Sequence, residues 1–223
     1  MGASLDWSRE KFTMDKDFSD AVTEIFCSLY EEGLIYRGYR LVNWDVSLQT
    51  AISDLEILSE EENSKIWHIA YKSKKTNKSI IVATTRPETM FGDVAIAVNP
   101  NDKKYKNLIG ESFEVPFCER SIEVIGDKYV DKSFGTGCLK ITPAQDFNDF
   151  EIGKKHNLPI INILNKNGLL NENVPKKYQN LSILNARKIL LEDLQNNGAL
   201  IKELNHKHNV PRSERTGEIL EPM

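Results

Sequence analysis

Cysteine is scarce in this chain of 223 residues, and long apolar runs are absent. The three cysteines, Cys27, Cys118 and Cys138, are scattered and never form a CxxC pair, which argues against a disulfide framework or a zinc knuckle. A reducing cytoplasm is therefore the expected location. No stretch approaches the roughly 20 apolar residues of a membrane span, and the N-terminus lacks the basic and then apolar order of a signal peptide. We expect no membrane partner.

The chain also lacks a net positive charge, since its formal net charge is −4 at pH 7. A broad nucleic-acid surface would normally be basic, so only a pocket for one end of an RNA stays open. The lysine-rich run 72–78 is best explained as the solvated tip of a hairpin rather than a phosphate patch. His206 and His208 form an HxH pair, but no third ligand converges on them in the sequence, so we expect no metal site.

The order of predicted elements indicates an α+β protein with one sizeable core. Amphipathic spacing predicts helices at 17–33 and 185–196. Alternating or apolar runs predict strands at 65–71, 79–85, 94–98, 113–117, 122–125, 138–142 and 160–164. So many short strands favour a mixed sheet closed toward a barrel, with flanking helices. We expect an N-terminal helix and connecting segment at 1–63, a central domain at 64–205 and a polar return segment at 206–223.

The stretch 134–150, FGTGCLKITPAQDFNDF, concentrates polar groups around two glycines that permit tight turns. Strand alternation places Lys140 and Thr142 on one face, and Pro143 ends the strand. Asp146 then fits the N-cap of a helix whose third residue is Asp149. Lysine, threonine and two aspartates are therefore predicted to converge on one polar binding site.

A second polar cluster, ATTRPETMFGD, occupies residues 83–93. Thr84, Thr85 and Thr89 offer hydroxyls that donate and accept hydrogen bonds, and Arg86 adds charge. Taken alone, the cluster is explained as a turn whose threonines bond their own backbone. A binding site gains support from the first cluster, about 50 residues further along the chain.

Together the two clusters resemble a known family. TTRPET with GD, then GTG, a short strand, PA and D-x-x-D-F resemble the editing domain inserted into class I aminoacyl-tRNA synthetases for valine, isoleucine and leucine. Similarity to the valine-specific branch extends over essentially the whole chain, through LDWSREKFTMD, GLIYRGYRLVNWD, TAISDLE, LKITPAQDFNDFEIGKKHNLP and PRSERTGEILEPM. The resemblance implies a mixed, barrel-like editing fold.

The resemblance also implies an activity. Motifs of the HIGH and KMSKS type and a glycine-rich phosphate loop are absent, so we expect an excised editing domain without ligase activity. Its implied reaction is hydrolysis of threonyl-tRNA(Val), and its partners are the aminoacylated 3′ end of that tRNA and the rest of the synthetase chain. The valine-specific enzyme is itself the established example of the need for editing, because a hydrophobic pocket rejects an isostere with an added hydroxyl by only about 10²-fold. No cofactor is expected here; ATP and Mg²⁺ belong to the ligase site of the parent enzyme.

Residue roles follow from the resemblance, position by position. Asp149 matches the aspartate expected to pair with the α-ammonium group of the substrate. Lys140 and Asp146 match positions expected to read the threonine hydroxyl, with Thr142 beside them.

The opposite wall of the site is assigned in the same way. Thr84, Thr85, Arg86 and Thr89 are expected to hold the ester, the attacking water or the terminal adenosine. Phe134 is expected either to stack on that adenosine or to serve as a core aromatic.

Gln145 departs from the family pattern, in which many valine-specific enzymes carry histidine. A glutamine can place water by hydrogen bonding but cannot act as a titrating base, and it is also explained as a variation in the pocket wall. No nucleophile with a partner base is evident, so positioned water should suffice for an activated ester. Two alternatives stay open: a noncatalytic RNA-end binding module, and an unrelated small-molecule esterase.

Overall fold

The structure is a computed structural model and describes residues 2, 4–76 and 78–223. The chain divides into two compact units, residues 1–40 and 41–223. In the described part of the first unit, one α-helix, α1 (Lys16–Glu31), follows Asp15 at its N-cap. Gly33 adopts a positive φ of 73° directly after it, as a helix C-terminal signal requires. The helix predicted at 17–33 is thus confirmed to within two residues at each end.

Among its described residues, the second unit contains ten strands and two α-helices. In chain order these elements are β1 (Asn43–Asp45), β2 (Thr50–Ile52), β3 (Ile57–Lys72), β4 (Ser79–Thr84), β5 (Ala95–Val98), β6 (Ser112–Glu114), β7 (Ser121–Gly126), β8 (Cys138–Ile141), α2 (Phe147–Lys155), α3 (Ile183–Asn196), β9 (Leu200–Ser213) and β10 (Glu221–Pro222). The α+β prediction is confirmed. None of the helices within 2, 4–76 and 78–223 is long and apolar enough to cross a membrane.

The strands of the described residues form three open sheets, with no closed barrel among them. The orders are β10-β1-β2, β4-β3-β9 and β6-β7-β5-β8. Every pairing is antiparallel except that of β5 with β7. The predicted hairpin is confirmed, since β3 pairs with β4. The run 72–78 predicted as its tip includes Asn77, which lies outside the described residues.

The core of the second unit lies between the sheets. β5 is buried over its whole length, as expected for a short apolar run in the interior of a sheet. Phe91 and Tyr178 pack with ring centroids 4.7 Å apart. α3 presents Ala186, Leu190 and Leu194, at four-residue intervals, to this core.

α2 packs closely behind β8. The N-cap predicted at Asp146 is confirmed, because Asp146 Oδ1 accepts hydrogen bonds from the backbone N–H groups of Asn148 (2.8 Å) and Asp149 (3.0 Å). A Cβ on Gly153 would lie 2.8 Å from Pro143 Cγ, so glycine permits the helix to approach the end of the strand. This approach sets the position of Asp149.

The tail of the chain differs from its prediction. The polar region predicted as a return segment from residue 206 is largely strand, because β9 pairs with β3 from Ser213 opposite Ile57 to Leu200 opposite Ile69. The predicted boundaries after residues 63 and 205 fall inside these two strands. The strand predicted at 160–164 is wrong: its buried residues Ile163 and Leu164 enter the core, and the run pairs only through an isolated bridge from Leu164 to Leu170.

Candidate active site

A cavity of about 330 Å³ in the second unit brings together all ten residues predicted for the site. They are Thr84, Thr85, Arg86, Thr89, Phe134, Lys140, Thr142, Gln145, Asp146 and Asp149. Seven further residues line the same cavity: Ile66, Ala83, Tyr129, Leu139, Asn148, His206 and His208.

Two layers of structure enclose the cavity. One wall comes from β4 and the 3₁₀ turn that follows it (Pro87–Gly92), together with one face of β3 and β9. The other wall comes from β8 and the first turn of α2. The two polar sequence clusters therefore face one cavity, as the sequence predicted.

Lys140 is held by three neighbours at the bottom of the site. Its side chain is almost fully buried, with 8% of its surface exposed. The ammonium Nζ donates to Thr89 Oγ1 (2.7 Å), to Thr142 Oγ1 and to Asp93 Oδ1 (3.2 Å). An ammonium has three N–H donors, so these contacts use all of them.

Asp93 is the counterion that the sequence analysis did not assign. It is fully buried; its Oδ2 accepts from the Tyr71 hydroxyl (2.7 Å), and its Oδ1 accepts from the Thr142 hydroxyl (2.7 Å) as well as from Lys140. Burial raises the pKa of Asp93, although Lys140 and Tyr71 act in the opposite direction. Asp93 was visible in the sequence as the last residue of TTRPETMFGD, but its pairing with Lys140, 47 positions away, could not be inferred locally.

Asp149 is poised between its two protonation states near neutral pH. The residue is 6% exposed, and its Oδ2 accepts a hydrogen bond from the backbone N–H of Thr142 (2.8 Å). Burial, reinforced by the neighbouring Asp146 carboxylate, raises the pKa of Asp149 to about 7. Lys140 and the Thr142 N–H oppose that rise without cancelling it. A cation placed beside Asp149 would favour its ionised form.

Asp146 caps the helix with one carboxylate oxygen, and its other oxygen is available to a ligand. Oδ1 caps α2, whereas Oδ2 has no hydrogen-bond partner among the described residues. The residue is exposed to solvent at the cavity wall. Asp146 can therefore accept a hydrogen bond from a ligand without releasing the helix.

The threonines of the TTRP turn divide into two kinds. Thr84 Oγ1 accepts from the Arg86 N–H (3.0 Å), and Thr89 Oγ1 donates to the Arg86 carbonyl (2.9 Å). These are the local backbone bonds that a purely structural turn would make. The Thr85 hydroxyl has no partner in the described part of the chain, and it lines the cavity. Thr85 is thus the threonine of this turn best placed to bond a ligand.

Arg86 belongs to a network of buried charges. Its guanidinium bonds Glu221 on β10 and approaches Glu88 (Nε–Oε1 3.4 Å). Arg187 of α3 holds the fully buried Glu88 with two bonds, of 2.8 and 2.9 Å. Burial would raise the pKa of Glu88, but the hydrogen bonds and charge of Arg187 outweigh it and lower that pKa. Glu88 has no role assigned from the sequence, because its partner on a helix about 100 residues away could not be inferred locally.

Phe134 and Tyr129 stand at the mouth of the cavity. Phe134 is 65% exposed, so the interpretation of this residue as a core aromatic is wrong. Tyr129 is 57% exposed and also lines the cavity. Two accessible aromatic side chains at one opening provide planar surfaces on which a base can stack.

Gln145 is buried beside Gly92. Its Nε2 lies 3.4 Å from Asn162 Oδ1, and its Oε1 has no hydrogen-bond partner in the described structure. A Cβ on Gly92 would lie 2.7 Å from that Oε1 and 3.1 Å from the backbone carbonyl oxygen of Ile161, so glycine gives Gln145 room to pack here. In the residues the structure describes, no group of three His, Cys, Asp or Glu side chains is arranged to hold a metal ion.

Comparison with known proteins identifies the family. The sequence profile of tRNA synthetases class I (I, L, M and V) matches residues 1–197, and the chain belongs to this family. Its relatives include valine–tRNA ligases from Legionella pneumophila (strain Lens), 56% identical over 223 residues, and Coxiella burnetii (strain RSA 493 / Nine Mile phase I), 54% identical over 223 residues. Each alignment covers all of this chain and 24% of the relative, so the chain spans about a quarter of the length of these ligases.

A solved structure is similar at lower identity. It is the ternary complex of Agrobacterium radiobacter K84 LeuRS with tRNA and LeuAMS, which is 17% identical. The match has a TM-score of 0.48 and covers 96% of this chain and 34% of the LeuRS chain.

Proposed function

We propose that this chain is the editing domain of a valine–tRNA ligase and that it hydrolyses the ester of threonyl-tRNA(Val). The observation that carries the proposal is the convergence of all ten predicted residues on one cavity of about 330 Å³. The similarity to valine–tRNA ligases over the whole chain supports the same reading. The activity of the full ligase, with its ATP and Mg²⁺ site, is proposed for the parent enzyme alone.

The proposed substrate explains why a second site is needed. Threonine has the shape of valine with one methyl replaced by a hydroxyl, and valine-specific synthetases are the established case in which a hydrophobic pocket separates the two by only about 10²-fold. A polar pocket would instead prefer threonine. Valine bound there would leave the hydrogen-bonding groups of the pocket unpaired, at a cost of about 1–3 kcal/mol each.

Asp149 is the proposed anchor for the α-ammonium group. With Oδ2 held by the Thr142 N–H, Oδ1 is left to accept from the substrate. The bound ammonium would lower the pKa of Asp149 and complete its ionisation at neutral pH. This contact fixes the ester in one orientation.

The threonine hydroxyl is proposed to bond Asp146, with Lys140 and Thr142 next to it. Asp146 Oδ2 is free to accept, whereas the three N–H donors of Lys140 are occupied by Thr89, Thr142 and Asp93. Lys140 can bond the substrate only if one of its N–H groups is shared between the substrate and Thr89, Thr142 or Asp93. Its positive charge is held in place, and this favours an oxygen over a methyl group at the same position.

Hydrolysis is proposed to use water rather than a protein nucleophile. The described residues that line the cavity include threonines but no serine or cysteine. The water oxygen bonds the ester carbonyl carbon, the bond from that carbon to the ribose oxygen breaks, and the leaving oxygen takes up the proton that the water loses. Thr85, with its unpartnered hydroxyl, is proposed to orient the water, and Gln145 to lie alongside. Positioning supplies most of the rate because the ester is already activated.

The terminal adenosine is proposed to stack on Phe134 at the cavity mouth. Stacking of a base on an aromatic side chain is worth about 1–3 kcal/mol and does not depend on sequence. Arg86, tied to Glu88 and Glu221, shapes the wall next to it.

Release of threonine from threonyl-tRNA(Val) by the 223-residue chain tests the proposal. Asp149→Ala should abolish release, since the ammonium anchor is removed. Asp20→Ala, in α1 and outside the unit that holds the cavity, is the matched control and should leave the rate unchanged. Full activity in Asp149→Ala would refute the anchor. Binding of threonyl-tRNA without any release by the wild-type chain would favour the RNA-end binding module instead.

A further inference from the structure

The site cavity adjoins a larger cleft. This cleft has a volume of about 920 Å³ and shares five lining residues with the cavity, which are Thr85, Arg86, Gln145, Asp146 and His208. These five side chains border both spaces, so the cavity and the cleft lie next to each other at this junction. An RNA whose last nucleotide occupies the cavity must have its preceding phosphodiester near such an opening.

His208 lies at the junction on a regular part of β9. It pairs with Glu62, and His206 pairs with Ser64, so both histidines lie on the same face of the sheet as Ile66, another residue of the cavity wall. Their rings are nearly parallel, with an interplanar angle of 11° and centroids 6.2 Å apart. The sequence analysis noted the pair only as a rejected metal motif.

The surroundings of His208 indicate which of its two ring nitrogens carries the proton. Nδ1 is buried and has no hydrogen-bond partner in the described structure. An orphaned buried N–H is rarer than an under-satisfied acceptor, so we assign the proton of the neutral ring to Nε2. Burial and the neighbouring His206 lower the pKa of His208, which keeps the ring neutral at pH 7. His208 therefore offers one N–H donor, from Nε2.

Two arginines accompany this donor. Arg86 bonds carboxylates through Nε and Nη2, and Arg187 does the same. Their Nη1 groups have no hydrogen-bond partner among the described residues. Both arginines line the larger cleft together with His208. Three side chains with spare donors along one cleft suit an anionic oxygen.

We propose that His208 donates a hydrogen bond from Nε2 to the phosphodiester that precedes the terminal nucleoside of the bound RNA. This role rests on the proposed function, because that function places the terminal nucleoside in the cavity. His208 is then a positioning residue for the RNA strand and makes no contact with the ester.

Two non-hydrolysable probes test this contact. One is an RNA oligonucleotide ending in CCA with threonine joined through a 3′-amide; the other is the matching threonyl amide of 3′-amino-adenosine, which lacks the phosphodiester. Dissociation constants of both are measured with the wild-type chain, His208→Leu and His208→Gln. His68→Leu is the matched control, since His68 lies on the same face of β3 and lines neither space.

His208→Leu should weaken binding of the RNA probe about tenfold, the factor that corresponds to 1.4 kcal/mol, and leave binding of the nucleoside probe unchanged. His208→Gln keeps an N–H donor and should retain most of the RNA affinity. His68→Leu should change neither affinity. Urea denaturation of each variant shows whether the fold is intact.

Three results would overturn the phosphate contact: equal weakening of both probes by His208→Leu, no weakening of either, or the same weakening by His68→Leu. Absence of binding of either probe to the wild-type chain would also overturn it. Because neither probe requires hydrolysis, a chain that binds both with the predicted pattern but fails to deacylate threonyl-tRNA would refute the deacylase function and leave the phosphate contact standing.

Discussion

Asp149→Asn should stabilise the fold even though it removes the proposed ammonium anchor. The buried carboxyl has a pKa of about 7 in the folded chain, against an ordinary value of 3.8. Since the folded state holds the proton more tightly, it binds more protons than the unfolded state between these pH values. Stability therefore falls as pH rises through this window; the penalty is absent below pH 3.8 and complete above pH 7.

The size of this penalty follows from the shift in pKa. At 1.36 kcal/mol per unit, ionising Asp149 costs the folded state about 4 kcal/mol at pH 8 and about 2 kcal/mol at pH 5.5. Asparagine is uncharged at both values, and its side-chain oxygen can still accept from the Thr142 N–H. The advantage of Asp149→Asn over wild type should thus grow by about 2 kcal/mol between pH 5.5 and pH 8.

Urea denaturation of both proteins at the two pH values measures this difference. Asp131→Asn is the matched control, because Asp131 is exposed and hydrogen bonds from Ser133 lower its pKa, so it stays ionised across the window. Its effect on stability should be the same at pH 5.5 and pH 8. An advantage of Asp149→Asn that does not change with pH, or a loss of stability at pH 8, would refute the reasoning.

Three further predictions concern the neighbours of the anchor. Asp93→Ala leaves the buried Lys140 ammonium unpaired and should cost about 3–5 kcal/mol in urea denaturation; a loss below about 1 kcal/mol would contradict the buried pair. Phe134→Ala should raise the KM for threonyl-tRNA about fivefold or more, from lost stacking, and change stability by less than about 0.5 kcal/mol; an unchanged KM would argue against stacking. Gly92→Ala should cost about 1–3 kcal/mol, because its Cβ would meet Thr142 Cγ2 at 3.0 Å and the Ile161 carbonyl oxygen at 3.1 Å as well as Gln145 Oε1 at 2.7 Å; unaltered stability would mean that these neighbours move aside freely.

The sequence predicted those parts of the fold that apolar periodicity controls. Helix α3 and strands β5, β7 and β8 are close to their predicted bounds, since each buries a regular set of side chains. β9 escaped prediction because its residues are mostly polar and it contains Pro211; the backbone ladder to β3 holds it in place. The run at 160–164 was wrongly predicted as a strand because it is apolar. Its residues Ile163 and Leu164 are buried without being part of a strand.

The site itself was predictable where its residues are close in sequence. The cap at Asp146 and the position of Asp149 follow from local rules for a helix start. Partners distant in sequence could not be derived in this way: Asp93 meets Lys140 across 47 positions, and Glu88 meets Arg187 across 99. Those pairings depend on the order of strands in the sheets and on the packing of α3.

The most direct test of the central claim is the ratio of initial deacylation rates for threonyl-tRNA(Val) and valyl-tRNA(Val) with the wild-type chain, repeated with Asp146→Ala. The account predicts that the wild-type chain prefers the threonyl ester at least about tenfold, which one hydroxyl-specific hydrogen bond can provide. It also predicts that Asp146→Ala erodes this preference. Equal rates on the two esters, or an unchanged ratio in Asp146→Ala, would contradict the proposed reading of the threonine hydroxyl.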